Sequence, residues 1–108
     1  MAVDKRIPKY WQMMTPTLEA LKQLGGSASV DELLEVIIQI MDLPDEVADI
    51  PHGDGSRSEV AYRAAWARTY LNKADYIENS SRGVWALTPL VQKPERSILL
   101  RFASWFAR

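Results

Sequence analysis

The sequence predicts a mainly α-helical domain with a small β-hairpin, in the order of a winged helix-turn-helix, plus an extra C-terminal helix. Two observations predict this class. Three segments carry apolar residues at helical spacing, and a segment of alternating residues around a Gly-containing turn follows the third. A chain of 108 residues is long enough for one domain but hardly for two. We therefore predict a winged-helix domain over residues 10–90 and an amphipathic helix over residues 91–108.

The first helix is predicted over about Tyr10–Leu24, with apolar residues at three-residue spacing in its second half. Thr15 stands before Pro16, a pair typical of an N-cap followed by the first helical position. The regular helix is therefore expected to begin there. Gly25 is a natural C-terminal cap, since glycine adopts left-handed backbone angles without strain.

The second helix is predicted over about Val30–Met41. Ser29 and Glu32 have the spacing of a capping box, in which each side chain accepts a hydrogen bond from the other residue's backbone. The helix is apolar over a broad arc, as expected of a buried element. A loop rich in Pro, Gly and Asp follows, with room for one short turn after Pro44.

The third helix is predicted over about 58–74, where Ser58 provides an N-cap and Glu59 an acidic first turn. "YIE" and "VWALT" alternate as strands do, and "NSSRG" between them is typical of a hairpin turn. The hairpin is therefore expected at about 76–88. In a helix-turn-helix protein these two elements would be the recognition helix and the wing.

A helical wheel divides the third helix into two faces. The face predicted to pack on the first two helices carries Val60, Arg63, Ala64, Ala67, Tyr70, Leu71 and Ala74, with Trp66 at its edge. Strand alternation turns Trp85 and Leu87 inward against Ile77. Trp66, Tyr70 and Trp85 are therefore predicted to belong to the core and not to form platforms for stacking bases.

The opposite face of the third helix carries hydroxyl, amide and basic groups, which are able to reach base edges or phosphates. Together with flanking and wing residues, the predicted DNA-binding set is Arg57, Ser58, Tyr62, Arg68, Thr69, Asn72, Lys73, Ser81 and Arg82. The alternatives are a plain solvated helix face and an exposed hairpin with ordinary turn chemistry.

Charge is distributed unevenly along the chain. Residues 29–54 contain eight acidic residues and no Lys or Arg, whereas residues 57–82 contain five basic residues against three acidic ones, a balance of +2. The net charge of −1 therefore hides two different segments, and polyanion binding depends on the local surface. An accidental separation of charge in a short chain is the alternative.

Composition excludes several classes of protein and site. The chain has no Cys, which rules out disulfides, Cys-based zinc sites and a thiol nucleophile. Its apolar runs are far shorter than a membrane span, and "MAVDKRIPKY" lacks the apolar core of a signal peptide. His52, near Asp49 and Asp54 in a loop, does not define a metal site. We expect a cytoplasmic protein without cofactor, metal, small-molecule substrate or membrane contact.

The segment "VAYRAAWARTYLNKADYIENSSRGVWALT" resembles the N-terminal winged-helix domain of Mrr-type restriction proteins. The "WARTYL.KA" helix, the "RGVW.LT" hairpin and the acidic loop after the second helix carry this resemblance, which covers about Trp11–Thr88. One departure is Asp75, where the family pattern usually has Gly. Asp tolerates left-handed backbone angles better than most residues, so the end of the helix is expected to survive.

The resemblance implies a DNA-binding module that serves a nuclease, and it allows sensing of base modification. A nuclease of that type would need paired acids and a Lys in a further domain, but Glu95 is the only acid after Thr88. We therefore expect that this chain does not catalyse a reaction. It would be either a piece of a larger protein or a free-standing domain. Double-stranded DNA is the predicted partner; the alternative is a protein-interaction or dimerisation winged helix that does not bind DNA.

The C-terminal segment is apolar for the end of a chain. Leu99, Phe102 and Phe106 share a helical stripe, which Ile98 and Trp105 widen. Such a patch is larger than soluble monomers usually expose. Three outcomes would cover it: a homodimer, folding back on the domain, or docking on a domain outside this chain.

Overall fold

The computed structural model describes residues 5–89. A 3₁₀ turn at Tyr10–Met13 leads into four helices and three strands. The elements are α1 (Met14–Gln23), β1 (Ser27–Ser29), α2 (Val30–Ile40), α3 (Asp45–Ala48), α4 (Glu59–Lys73), β2 (Ile77–Ser81) and β3 (Val84–Leu87). The predicted mainly helical winged helix-turn-helix is confirmed, including the short turn after Pro44, while the predicted C-terminal helix over 91–108 lies outside the described residues.

The first helix spans about the predicted residues, but its regular part begins at Met14, two residues before the predicted start at Pro16. The chain is already helical at Tyr10, and Met13 is the N-cap of α1, so the prediction of Thr15 as N-cap is wrong. Pro16 is the third residue of α1, where the missing N–H would have had no partner within the helix anyway. Thr17 satisfies a carbonyl of the preceding turn by donating from its hydroxyl to the oxygen of Met13 (2.7 Å).

The three longer helices end in the same way, in a Schellman motif. After α1, Gly25 has φ +88° and the N–H of Gly26 donates to the carbonyl of Leu21 (2.8 Å). After α2 and α4 the left-handed position is taken by Asp42 (φ +53°) and Asp75 (φ +66°). The predicted tolerance of Asp75 at a position where the family pattern has Gly is thus confirmed.

The hairpin belongs to a three-stranded antiparallel sheet in the order β1-β3-β2. The sequence analysis missed β1, because three small residues after a glycine pair give no strand signal. Ala28 of β1 is opposite Trp85, and Ile77 of β2 is opposite Leu87. Trp85 and Leu87 pack against the core, as predicted.

The core lies around α1, which contacts α2, α4 and β3. The buried face of α4 consists of Val60, Ala64, Ala67 and Leu71, each 0% exposed. The prediction of Trp66 as a core residue is wrong, since 44% of its surface is exposed. Small alanines let α4 approach α1 closely, so an indole at the edge of that face has no room between the helices.

Two tyrosines border the same face of α4 in different ways. Tyr70 is half-buried and packs against the core, in line with its predicted place there. Tyr76, just after α4, is the largest fully buried side chain of the domain. The core therefore takes its main aromatic residue from the end of α4 and not from the middle.

Candidate nucleic-acid interface

The N-terminus of α4 is fixed by the loop that precedes it. Ser58 is the N-cap, and its hydroxyl accepts a hydrogen bond from the N–H of Ala61 (3.1 Å). The N–H of His52 donates to the carbonyl of Arg57 (2.8 Å), and that of Glu59 to the carbonyl of Ile50 (2.7 Å). These bonds close the loop on itself and place Arg57 beside the exposed face of α4.

Glu59, in the first turn of α4, holds three segments together. Its carboxylate accepts hydrogen bonds from Nδ1 of His52 and from Nε of Arg63, both at 2.7 Å. Nη1 of Arg63 in turn donates to the carbonyls of Ile7 and Pro8, at 3.4 and 3.2 Å. Arg63 therefore ties the N-terminal segment to α4 and is engaged within the fold.

Burial by itself would raise the pKa of Glu59. The hydrogen bonds from His52 and Arg63, with the positive charge of Arg63, outweigh burial, so the pKa of this carboxyl lies below its usual value. His52 thus has a structural partner in its loop. Within residues 5–89, no group of three or more His, Asp or Glu is placed to hold a metal ion.

Arg57 and Arg68 lie near enough to each other for their charges to interact. Burial, and secondarily the charge of Arg57, lower the pKa of Arg68. Nε of Arg68 is buried and has no hydrogen-bond partner. Among the described residues, neither arginine forms a side-chain hydrogen bond or ion pair. Within residues 5–89, two like charges therefore interact and neither is paired with a carboxylate.

The remaining predicted residues of α4 occupy its exposed side. Thr69 is exposed, and its hydroxyl donates to the carbonyl of Ala65 within the helix (3.0 Å). Asn72 is also exposed, but its Nδ2 donates to the carbonyl of Ile77 (3.0 Å) at the start of β2. Lys73 is exposed, with Nζ 5.7 Å from the ring centroid of Tyr70.

The turn between β2 and β3 carries the two predicted wing residues. Ser81 and Arg82 are both exposed, and Gly83 beside them has φ +74°. Nδ2 of Asn79 donates to the carbonyls of Ser81 (2.9 Å) and Val84 (2.8 Å), where the strand register shifts. This side chain thereby stiffens the turn that presents Arg82 to solvent.

An aromatic row along α4 is the main feature that the sequence analysis missed. The contacts run in an unbroken series through Trp11, Tyr10, Tyr70, Trp66, Tyr62 and His52. Tyr62, a predicted DNA-binding residue, stacks on His52 with ring centroids 3.7 Å apart. The four-residue spacing of Tyr62, Trp66 and Tyr70 was a signal for this row, because residues four apart lie on one helix face.

Two open depressions border the aromatic row. The larger, about 410 Å³, lies between the 3₁₀ turn and α4, with Trp11, Trp66 and the Glu59–Arg63 pair in its lining. The smaller, about 240 Å³, is lined by Arg57, Tyr62, Ala65, Trp66 and Thr69. Trp66 contributes to both. Of the predicted residues, Arg57, Tyr62 and Thr69 thus share one depression. Lys73 lies by the Tyr70 ring, and Ser81 and Arg82 lie in the hairpin.

Comparison with known proteins gives one match. No curated protein and no solved structure matches the chain. None of the helices between residues 5 and 89 is long and apolar enough to cross a membrane. The family model of the Mrr N-terminal domain matches residues 10–93, which is most of the chain and includes α4 and the hairpin. The chain belongs to the Mrr N-terminal domain family.

Proposed function

We propose that this chain is a DNA-binding module of a restriction system, with α4 as its recognition helix and the β2–β3 hairpin as its wing. Membership of the Mrr N-terminal domain family suggests this class of module. The observation that carries the proposal is the placement of Arg57 and Arg68 beside α4, where neither has a side-chain partner among residues 5–89 and Nε of Arg68 is buried.

A buried N–H without an acceptor, such as that at Nε of Arg68, is unfavourable, because it has lost its hydrogen bond to water without gaining another. A neighbouring positive charge adds to this cost. A DNA phosphate would relieve both, since it offers anionic oxygens that accept charge-assisted hydrogen bonds. The placement of Arg57 and Arg68 is therefore suited to a phosphate held against α4.

The other candidate residues extend this surface. Lys73 at the end of α4 and Arg82 at the wing tip would meet further phosphates, while Tyr62, Thr69 and Asn72 would face base edges. Ser58 and Ser81 would make backbone contacts. All eight acidic residues of the segment 29–54 are exposed and belong to other elements. We propose about three to five phosphate contacts in total.

The proposed module is not an enzyme and takes no cofactor or small-molecule substrate. We propose a cytoplasmic location. Disulfides are rare in that reducing compartment, and a chain without Cys forms none. A homodimer through residues 91–108 remains part of the proposal, since it would present two copies of α4 to one duplex.

Duplex binding at a series of salt concentrations tests the proposal. We expect micromolar affinity for a labelled duplex and a log–log salt slope of about −3 to −4.5. Arg68→Met should weaken binding about ten-fold and make the slope shallower by about one. The same variant should melt at or above the wild-type temperature, because it removes a buried N–H that has no acceptor.

Arg6→Met is the matched control. Arg6 makes an ion pair with Glu46 of α3 (3.6 Å) in the acidic part of the domain, so its loss should leave duplex affinity nearly unchanged. Equal weakening by both variants would show that only net charge matters. A flat salt dependence, or no binding at low salt, would contradict the DNA proposal.

The second candidate is a protein-interaction module. The exposure of Trp11 (41%) and Trp66 (44%) favours it, because tryptophan is enriched where proteins bind each other. Binding of this kind would depend little on salt, so the same titration separates the two functions.

A further inference from the structure

Trp66 stands in the middle of the exposed face of α4, on the helix proposed to read DNA. Duplex DNA presents base edges in its grooves, and each base face is covered by the next base pair. An indole that meets a duplex therefore has no ring face to stack on. An unpaired base offers such a face, and stacking on aromatic side chains is how proteins usually bind one.

Building on the DNA-binding function proposed above, we infer that the groove between the 3₁₀ turn and α4 binds an unpaired base of a DNA strand, stacked on Trp66. The strand would be single-stranded DNA or a duplex with an unpaired nucleotide. The site thereby extends the proposed function from phosphate contacts to a preferred DNA structure.

The aromatic row leaves Trp66 without a parallel partner among the described residues. Tyr62 meets it at 81° with centroids 6.5 Å apart, and Tyr70 at 33° and 6.3 Å. The rings on either side are already stacked: Tyr62 on His52 at 12°, and Tyr70 on Tyr10 at 16°. The neighbours are thus held in place, while the indole between them stays open to a flat ligand.

The groove suits an uncharged ring better than a phosphate. Its volume of about 410 Å³ lies within the range of about 300–1,000 Å³ found for small-ligand sites. Glu59 contributes a carboxylate, which Arg63 neutralises through the 2.7 Å hydrogen bond. A phosphate would gain no net attraction there, whereas a base would find apolar ring surfaces.

Basic groups border the row at several points along the groove. Nζ of Lys9 is 6.0 Å from the ring centroid of Trp11, and Nζ of Lys73 is 5.7 Å from that of Tyr70. Arg57 lines the adjoining depression together with Trp66. Aromatic rings interleaved with cations are typical of proteins that bind unpaired strands, with the cations following the phosphates while the bases stack.

The test compares three labelled DNA probes of the same sequence: a duplex, a duplex with one unpaired nucleotide, and the single strand. We expect the wild-type chain to bind the two probes with unpaired bases about ten-fold more tightly than the duplex. Trp66→Leu keeps an apolar side chain but removes the ring, and should abolish this preference. Trp66→Phe keeps a ring and should retain most of it.

Trp85→Phe is the control, since Trp85 packs against the core from β3 and should not affect the preference. Melting curves establish that each variant is folded. Equal binding of all three probes by the wild type, or equal weakening of all three by Trp66→Leu, would overturn the stacking site. Salt-dependent duplex binding would in either case leave the proposed function intact, whereas failure to bind any probe would overturn both.

The remaining part of the test measures the oligomeric state of the wild type and of Trp66→Leu by sedimentation. A wild-type chain that self-associates at the probe concentrations, together with a monomeric Trp66→Leu variant, would show that a second copy covers the groove. That result would also overturn the inference.

Discussion

α2 and α4 are the two long helices that flank α1, and they distribute their side chains in opposite ways. α2 is rich in large aliphatic residues, yet only Leu33 and Ile37 are fully buried, while Leu34 and Ile38 are half-buried. α4 buries small residues and turns its largest ring outward. The comparison teaches that burial depends on how closely a helix approaches its neighbour as well as on the hydrophobicity of each residue.

The two helices also differ in charge. α2 has Asp31 and Glu32 in its first turn and no basic residue in its last. α4 has Glu59 in its first turn, but that carboxylate is matched by Arg63, and Lys73 lies in its last turn. One helix therefore offers an acidic surface and the other a surface in which basic groups prevail.

The largest expected effect is a loss of stability that differs between substitutions on the buried face of α4 and on its exposed face. Leu71→Ala should lower the free energy of unfolding by about 2–5 kcal/mol, because it leaves a cavity at a position with no exposure. Ile37→Ala should do the same in α2. Trp66→Ala should cost less, about 1–3 kcal/mol, since 44% of the residue's surface is already in water. Thermal melting checks all three, and a melting loss for Trp66→Ala as large as for Leu71→Ala would break the comparison.

The next effect concerns the glutamates near the start of each helix. Glu59 links His52 and Arg63 to α4, whereas Glu32 only accepts from the N–H of Ser29 within its own capping box. Glu59→Gln should cost about 1–3 kcal/mol, because it removes the charge from two short hydrogen bonds. Glu32→Gln should melt close to wild type, since glutamine also suits a capping box.

The pH dependence follows from the same contacts. The pKa of Glu59 is lower in the folded chain than its ordinary value of 4.5, so its ionised form stabilises the fold. That contribution is complete above the ordinary value and disappears as pH falls through the folded pKa. The difference in melting temperature between the wild type and Glu59→Gln should therefore become smaller as the pH is lowered. A difference in melting temperature that stays constant down to the lowest pH would show that the charge of Glu59 does not cause the stabilisation.

The smallest expected effect concerns the C-terminal ends of α2 and α4. Both helices are followed by an aspartate in the left-handed conformation. Asp42→Gly and Asp75→Gly should each raise the free energy of unfolding by up to about 1 kcal/mol, because glycine adopts the left-handed angles without strain. Asp75 accepts a hydrogen bond from the Thr88 hydroxyl through its backbone carbonyl, which the change retains. Chemical denaturation measures both, and opposite signs at the two sites would show that the two helix ends are not equivalent.

Much of the fold could be predicted because its signals are local. The capping box of Ser29 and Glu32 forms as expected, with hydrogen bonds of 3.2 and 3.0 Å. The N-cap Ser58 and the hairpin turn at Gly83 were also correct. In each case residues a few positions apart satisfy each other's backbone groups, so the sequence contains both partners of the interaction.

Contacts between distant segments could not be predicted in this way. β1 exists because β3 pairs with it, and no property of three small residues announces that pairing. Arg63 donates hydrogen bonds to the carbonyls of Ile7 and Pro8, far away in the chain. The candidate site depends on such contacts, since only the folded loop shows that Arg57 comes close to Arg68.

By itself, the sequence determined the order of helices and strands, their caps and the segregation of charge, because these follow from neighbouring residues and from composition. It also carried the family motifs in α4 and the hairpin. The tertiary structure alone decided that Trp66 lies outside the core, that six rings form one row and that Arg57 and Arg68 interact without a side-chain partner among residues 5–89. The physical reason is that burial and electrostatic compensation depend on which distant segments meet in the fold.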